Sequence, residues 1–372
     1  MRDELAENLL AKVMGWSDEE KARERAILQD LARYKYDEYQ QYAPGRRFIE
    51  SLALWLRQFE TPEERKVAYA FVRNRLVFIS TPELRQLVDL SFPTAIRPAL
   101  IAMTARRAQI DPLRVKAVVN SQDYGITLRQ TLFLGLSDGA RTDVFRRSYP
   151  EVSNEQIWHA YDVSDEKAKS MGQKLVKDLT AQFGRAPTDD EGRFHTICLL
   201  DDFTASGTTY IRREDGDLWD GKIPRIVKQL TTPGEALCEL VAKADVKIIV
   251  CIYVASDQAI RHLKEHLSAF TFDKGTIDLR VVHELPPETR LDDTSDGPFL
   301  GLAKDDRYFD SSADDEHGEI GGTTTRLGYA DCRLPVVLSH NTPNNSVFLL
   351  RGEYTHSFVG LFPRISRHKR AE

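Results

Sequence analysis

The run Leu199-Leu200-Asp201-Asp202-Phe203-Thr204-Ala205-Ser206-Gly207-Thr208-Thr209 gathers the residue types that handle a sugar phosphate. The apolar stretch from Phe194 to Leu200 predicts a buried strand that delivers the adjacent carboxylates of Asp201 and Asp202 to a sheet edge. Small residues follow: Thr204, Ala205, Ser206, Gly207, Thr208 and Thr209. Small side chains let a backbone curl until successive N–H groups converge on one anion, and the hydroxyls add donors for phosphate oxygens. A helical turn after them would add its positive end. One end of the run therefore suits a phosphate, and the other suits hydroxyls or a metal-bound group. The bland alternative is a sheet edge that closes in a solvated acidic turn.

A second segment has related chemistry. Leu132 to Leu136 predicts a strand that runs into Ser137-Asp138-Gly139-Ala140-Arg141-Thr142-Asp143. Gly139 permits close backbone approach, Arg141 can pair with a pyrophosphate, and Arg146 and Arg147 add positive charge. An ordinary turn with surface arginines is the alternative. Residues Gly135 to Gly139 also spell G-x-S-x-G, which would make Ser137 a hydrolase nucleophile, with His283, His317 and His340 as candidate bases. That elbow requires a packed helix immediately afterwards, and the residues that follow are too charged to form one.

The eleven-residue run resembles the phosphate motif of type I phosphoribosyltransferases: an apolar strand, two acidic residues, an apolar residue, then a small Thr/Ser/Gly-rich loop. The resemblance implies that Asp201 and Asp202 contact the ribose hydroxyls of phosphoribosyl pyrophosphate, with Asp202 helping to stabilise positive charge on the sugar. It implies that Thr204 through Thr209 cradle the 5′-phosphate and that Ser137, Asp138, Gly139 and Arg141 form the pyrophosphate loop. It further implies Mg²⁺ carried by the pyrophosphate. Ser137 to Arg147, Ser153 to Gln156, Asp201-Asp202-Phe203, Ser206-Gly207-Thr208, Arg212 and the late run Asn341-Thr342-Pro343-Asn344-Asn345-Ser346 are similar to phosphoribosyltransferase-like domains of bacterial conflict systems. Some of those lie beside retron reverse transcriptases, which implies an antiphage effector with an operon-encoded protein partner. In the resembling family the base lies under a hood beyond the core sheet. Tyr329, Asn341 and Asn344 are the base-contacting candidates here, and a purely structural turn is the alternative. Two departures stand out: the charged segment Arg212 to Lys222 replaces a clean apolar helix, and no purine or pyrimidine pocket is readable. A non-catalytic nucleotide sensor that switches a partner is therefore the rival expectation.

The elements that must position these residues follow from periodicity. Residues 1–125 read as a helical region, with Thr61-Pro62-Glu63-Glu64 and Thr81-Pro82-Glu83-Leu84 as helix starts. Leu76 to Ile79 either ends a helix or forms a short strand. Residues 126–372 read as a phosphoribosyltransferase-like domain with insertions near 144–190, 212–222 and 286–325, the last a long and partly mobile loop. The first of these holds a helix from Glu166 to Phe183. Val246 to Val254, Leu279 to His283 and Pro335 to Leu338 are further strands. Strands alternating with helices predict an α/β fold with a parallel sheet, whose ligands bind beyond the carboxyl ends of the strands.

Composition limits the rest. Of 372 residues, 41% are hydrophobic and 29% charged, enough for a sizeable core and a soluble surface. A net charge of -6 gives no overall footprint for nucleic acid, and the basic cluster Arg364, Arg367, His368, Lys369 and Arg370 reads as a solvated tail. The four cysteines form no C-x-x-C pair, no apolar run spans a membrane, and no apolar leader is present, so a cytoplasmic protein is expected.

Overall fold

The computed structural model describes residues 3–214, 216, 218–314, 321–322 and 324–365. His317, Arg367, His368, Lys369 and Arg370 lie outside the described residues. The chain divides into two compact units: a terminal unit built from Met1–Glu83 with Pro286–Glu372, and a central unit, Leu84–Leu285. The boundary expected near residue 125 falls inside the central unit, because the helices that precede the sheet pack on it rather than standing apart.

The terminal unit holds helices α1 (Asp3–Met14), α2 (Asp18–Tyr34), α3 (Phe48–Leu56) and α4 (Pro62–Asn74), followed by strand β1 (Val77–Ile79). Thr61 opens α4 as its type requires. Its hydroxyl accepts from the Glu64 N–H, while the Glu64 carboxylate accepts from the Thr61 N–H. At the next helix, α5 (Thr81–Leu90), the capping hydroxyl belongs to Ser80 rather than Thr81. Residues 286–325 are not a loose loop throughout. They contain a helix, Gly297–Lys304, whose Phe299 stacks on Phe71 of α4 with ring centroids 3.6 Å apart. The strand read at Pro335 to Leu338 exists as Val336–Leu338. It does not extend the main sheet but pairs in parallel with β1, Val77 opposite Val336.

The central unit continues with α6 (Arg97–Ala108), α7 (Val115–Val119), α8 (Gln122–Arg129), β2 (Thr131–Gly135), α9 (Thr142–Ser148), β3 (Ile157–Trp158) and α10 (Asp165–Phe183). Then come β4 (Thr196–Thr204), β5 (Arg212–Glu214), β6 (Leu218–Asp220), α11 (Lys222–Thr231), α12 (Ala236–Leu240), β7 (Val246–Ser256), α13 (Asp257–Ala269) and β8 (Gly275–Leu285). The terminal unit later holds α14 (Gly297–Lys304), β9 (Val336–Leu338) and a one-turn helix, Phe348–Arg351. Strands β3-β2-β4-β7-β8 form one parallel sheet in that order, as the alternation of strands and helices predicts. β4 lies at its centre, and no helix among the described residues is long and apolar enough to cross a membrane.

Side chains alternate across the sheet. Leu132, Leu134, Ile197, Leu199, Ile248, Val250 and Ile252 join the core formed with Met171, Leu175, Ile223, Ile226 and Leu263. On the opposite face Phe133 meets Phe92 and Phe145, which in turn pack on Tyr149. Both faces of β4 and β7 are therefore buried, as a central parallel strand demands. Insertion 144–190 is largely ordered into α9, β3 and α10. Insertion 212–222 folds as the β5–β6 hairpin, Arg212 opposite Asp220.

Glu64 ties α4 to residues 307–308, since its carboxylate also accepts from the Tyr308 hydroxyl at 2.9 Å and from Arg307 at 2.8 Å. Glu64→Ala removes the cap partner and both tethers together. The expected cost is about 1–3 kcal/mol, read as a lowered Tm in thermal unfolding. An unchanged Tm would show that these bonds are replaced by water without loss.

Candidate functional site

Asp201 and Asp202 both lie within β4 rather than beyond its end, so the period of two sends their side chains to opposite faces. Asp201 turns toward the face covered by α11. It is 2% exposed and meets three donors. The Ser137 hydroxyl donates to Oδ1; the Tyr210 hydroxyl donates to Oδ2 at 2.7 Å, and Lys222 Nζ donates to Oδ2 at 3.0 Å. Burial pushes the Asp201 carboxyl above the usual carboxylate range, the Lys222 ammonium pulls it back, and neighbouring Asp202 adds to the rise. Burial likewise drives the Tyr210 phenol well up, reinforced by Asp201, so it stays protonated and donates.

Asp202 turns to the other face, against the loop after β2. A Cβ built on Gly139 would lie 2.0 Å from Asp202 Oδ2, so no larger residue fits there with the carboxylate in place. The Asp202 Oδ1 accepts from the Phe203 N–H at 2.9 Å. Tyr253 of β7, on the same face, donates to the Ala140 carbonyl at 2.7 Å and so anchors the Ser137–Arg141 loop from beneath. In that loop Ser137 Oγ accepts from the Gly139 N–H at 3.1 Å, Asp138 is exposed, and Arg141 is half-buried in the left-handed region at φ 49°. The Arg141 guanidinium makes no ion pair or hydrogen bond among the described residues, whereas most arginines of the chain do.

Thr204 ends β4, and the small residues form a tight, prearranged turn. Ser206 Oγ and Thr208 Oγ1 are 2.9 Å apart, and the Tyr210 N–H donates to the Gly207 carbonyl at 3.0 Å. Gly207 has φ +79° and presses against α13. A Cβ there would meet His262 at 2.9 Å and the Ala259 carbonyl at 3.2 Å. Ser256, the cap of α13, also donates to the Ala205 carbonyl at 2.5 Å, which fixes the loop to the end of β7. Ala205 and Ser206 are buried, Thr208 is half-buried and Thr209 is exposed. A single turn follows, in which the Gly207 carbonyl also accepts from the Ile211 N–H at 3.4 Å, but it does not continue as a helix. The chain enters the β5–β6 hairpin, and α11 begins only at Lys222.

Of the residues singled out in the sequence, Ser137, Asp138, Gly139, Arg141, Asp201, Asp202 and Thr204 through Thr209 come together at the carboxyl ends of the adjacent strands β2 and β4. Tyr329, Asn341 and Asn344 belong to the terminal unit. There the Tyr329 N–H donates to the Asn344 carbonyl at 2.8 Å, Asn341 and Leu338 exchange backbone bonds at 3.0 Å, and the buried Asn341 Oδ1 has no hydrogen-bond partner among the described residues. Ser137 does not have a nucleophile's surroundings. Its hydroxyl donates to a carboxylate and accepts from a backbone amide, although a helix does follow: after the 3-10 turn Asp138–Ala140, the residues expected to be too charged for one form α9 with Phe145 buried. The sequence reading missed Tyr210, Lys222, Tyr253 and Ser256. Only Tyr210, adjoining the motif, and Ser256, which opens a helix after a strand, carried a readable signal.

Among the described residues no group of three or more His, Cys, Asp or Glu is placed to hold a metal ion.

Two consequences can be measured. Lys222→Met leaves the buried Asp201 charge without its cation and is expected to cost about 3–5 kcal/mol near neutral pH. A carboxyl whose folded pKa is raised favours folding below its unfolded value, about 3.9, and loses that contribution as pH rises through the folded value. Removing Lys222 raises the folded value further, so the Tm deficit against wild type should be widest at neutral pH and shrink as pH falls. A deficit that does not change with pH would refute the ionised Asp201–Lys222 pair. Gly139→Ala is expected to displace Asp202 and weaken ligand binding at least tenfold (about 1.4 kcal/mol) while Tm falls little, which titration calorimetry and thermal unfolding would separate.

Comparison with curated proteins and with solved structures gives no match. A protein-family model, PRTase-CE, matches residues 52–364. The matched span takes in β2, β4, both loops at their ends and the late Asn341–Ser346 run. It agrees with a parallel sheet carrying an acidic strand end beside a small-residue loop, a phosphoribosyltransferase-like arrangement. With most of its length matched, the chain belongs to the PRTase-CE family.

Proposed function

We propose that the protein binds a ribose 5-phosphate compound bearing a pyrophosphate, phosphoribosyl pyrophosphate or a related nucleotide, with Mg²⁺ on the pyrophosphate. The observation that supports this most is the juxtaposition of two loops on neighbouring strands: the preformed Thr204–Thr209 turn, and the Ser137–Arg141 loop packed by Gly139 onto Asp202. Backbone amides and hydroxyls of the first suit the 5′-phosphate. The unpaired Arg141 guanidinium beside the second suits the pyrophosphate. Asp202 accepts from the ribose hydroxyls and stabilises positive charge as the anomeric bond opens through an oxocarbenium-like state. Bound to the departing pyrophosphate, Mg²⁺ neutralises its charge. Asp201 acts as a positioning residue that holds Ser137 and Tyr210 rather than touching the sugar. The reaction class is transfer or cleavage at the anomeric carbon. The similarity of Ser137–Arg147, the acidic run and the Asn341–Ser346 run to conflict-system domains supports a role in bacterial antiphage defence with an operon-encoded partner, in the cytoplasm.

The second reading is a non-catalytic sensor. It is favoured by the occupancy of Asp201, since a site with one of its two carboxylates consumed by the scaffold has less to offer a transition state. Pyrophosphate release from phosphoribosyl pyrophosphate, with and without a panel of bases, distinguishes the two: turnover lost in Asp202→Asn supports the enzyme, and tight binding without turnover supports the sensor. Arg141→Ala should weaken phosphoribosyl pyrophosphate at least tenfold (about 1.4 kcal/mol) but a nucleoside monophosphate much less. Equal losses for both ligands would remove the pyrophosphate assignment. If the operon protects its host from phage, Asp202→Asn should abolish protection, and full protection by that variant would detach the defence role from this site.

A further inference from the structure

The parallel sheet ends on β8, and this edge is unlike an ordinary protected one. It is eleven residues long, contains no proline, and keeps a constant register with β7 from Val246 opposite Gly275 to Ser256 opposite Leu285. Natural edges are usually short, bulged, broken by proline or covered. Only Leu285 of the strand is buried, whereas nearly every residue of β7 is. The Val246 N–H donates to the Lys274 carbonyl. In a parallel ladder this phase turns the N–H and C=O groups of the even-numbered residues of β8 toward β7 and those of the odd-numbered residues outward. Ile277, Leu279, Val281 and His283 thus present a row to which no described residue hydrogen-bonds, while the Gly275 N–H at its start donates to the Phe272 carbonyl at 3.1 Å.

We infer that this row pairs with the same row of a second copy of the chain, antiparallel about a two-fold axis at Leu279, joining the two sheets into one of ten strands. The occupant follows from charge. An axis at Leu279 sets Asp278 opposite Arg280 of the other copy, twice by symmetry, in the closely spaced non-hydrogen-bonded position. Moving the axis one residue toward Asp278 sets that carboxylate against its own copy, and moving it one residue the other way sets Arg280 against its own copy. Asp278 already pairs with Arg280 of its own strand at 2.7 Å and with Lys247 at 3.4 Å, and of these three registers the Leu279-centred one alone sets both residues against unlike charges of the other copy. It also places Leu279 on Leu279 and Ile277 on Val281, all three half-exposed side chains already leaning on the apolar core of the central unit. An isologous contact of this kind closes after two copies and uses up the β8 edge of both, leaving only the two-residue β3 at each end of the sheet.

Sedimentation velocity on the full chain tests this. Wild type should sediment as a dimer at micromolar concentration. Asp278→Arg and Arg280→Asp should each weaken the dimer by roughly tenfold or more, and the double swap Asp278→Arg/Arg280→Asp should restore it. Circular dichroism confirms that each variant is folded. Leu279→Cys provides an independent measurement: a short bis-maleimide cross-linker should give a species of doubled mass on a denaturing gel, because the Cβ atoms of directly opposite antiparallel residues lie about 5.5 Å apart. A monomeric wild type, or a dimer indifferent to both single charge changes, overturns the proposal. So does a single-variant loss that the double swap fails to restore.

Discussion

A carboxylate buried in the middle of a parallel sheet is the constraint around which the site is organised. Asp201 cannot sit at 2% exposure as a charge unless donors replace the water it has lost. Those donors come from three separate stretches: Ser137 after β2, Tyr210 after the small-residue turn, and Lys222 at the first position of α11. Satisfying one side chain therefore fixes the start of one loop, the exit of the other, and the return of the chain beyond the β5–β6 hairpin. The hairpin can be inserted without loosening the turn because Lys222 closes the circuit behind it.

The period of two then divides labour between neighbours. Adjacent residues in a strand cannot face the same way, so an acidic pair inside β4 becomes one internal anchor and one residue turned toward the opposite loop. Gly139 is the counterpart of that second residue: its missing side chain is the space the Asp202 carboxylate occupies. The pair is thus one unit in sequence and two different devices in space, and the PRTase-CE membership is consistent with such a strand end. The small-residue turn is held in the same economical way, by Gly207 lying flat on α13 and by Ser256 bonding both the helix start and the loop.

Much of this was legible beforehand, for identifiable reasons. The central strands announced themselves as continuous apolar runs because a doubly covered parallel strand has no polar face. The small-residue turn was legible because glycine and hydroxyl residues in a row have few other uses. What failed to show were the long-range partners. Nothing local to Lys222 says that it will reach Asp201, and nothing in Val336–Leu338 says that it will pair with Val77–Ile79 instead of joining the main sheet. The acidic pair was expected beyond the strand end, but ladder bonds to β7 carry β4 on through Thr204. The segment 286–325 looked loose because its composition is polar. Its few apolar residues, Phe299 among them, nevertheless supply the contacts that order it.

The pairing of β1 with β9 has a consequence for how the chain is made. The terminal unit is assembled from the first 83 residues and a stretch that begins at Pro286, so about 200 residues separate its halves. At a ribosome adding about 5–20 residues per second, that interval lasts roughly 10–40 s. During it the apolar faces of α3 and α4, with Trp55, Phe59 and Phe71, have no permanent cover, while the central unit already holds every strand of its sheet. Synthesis order thus makes the central parallel-sheet unit the early-folding body and leaves the leading helices waiting for the segment after Pro286, the interval in which a chaperone has the most surface to hold.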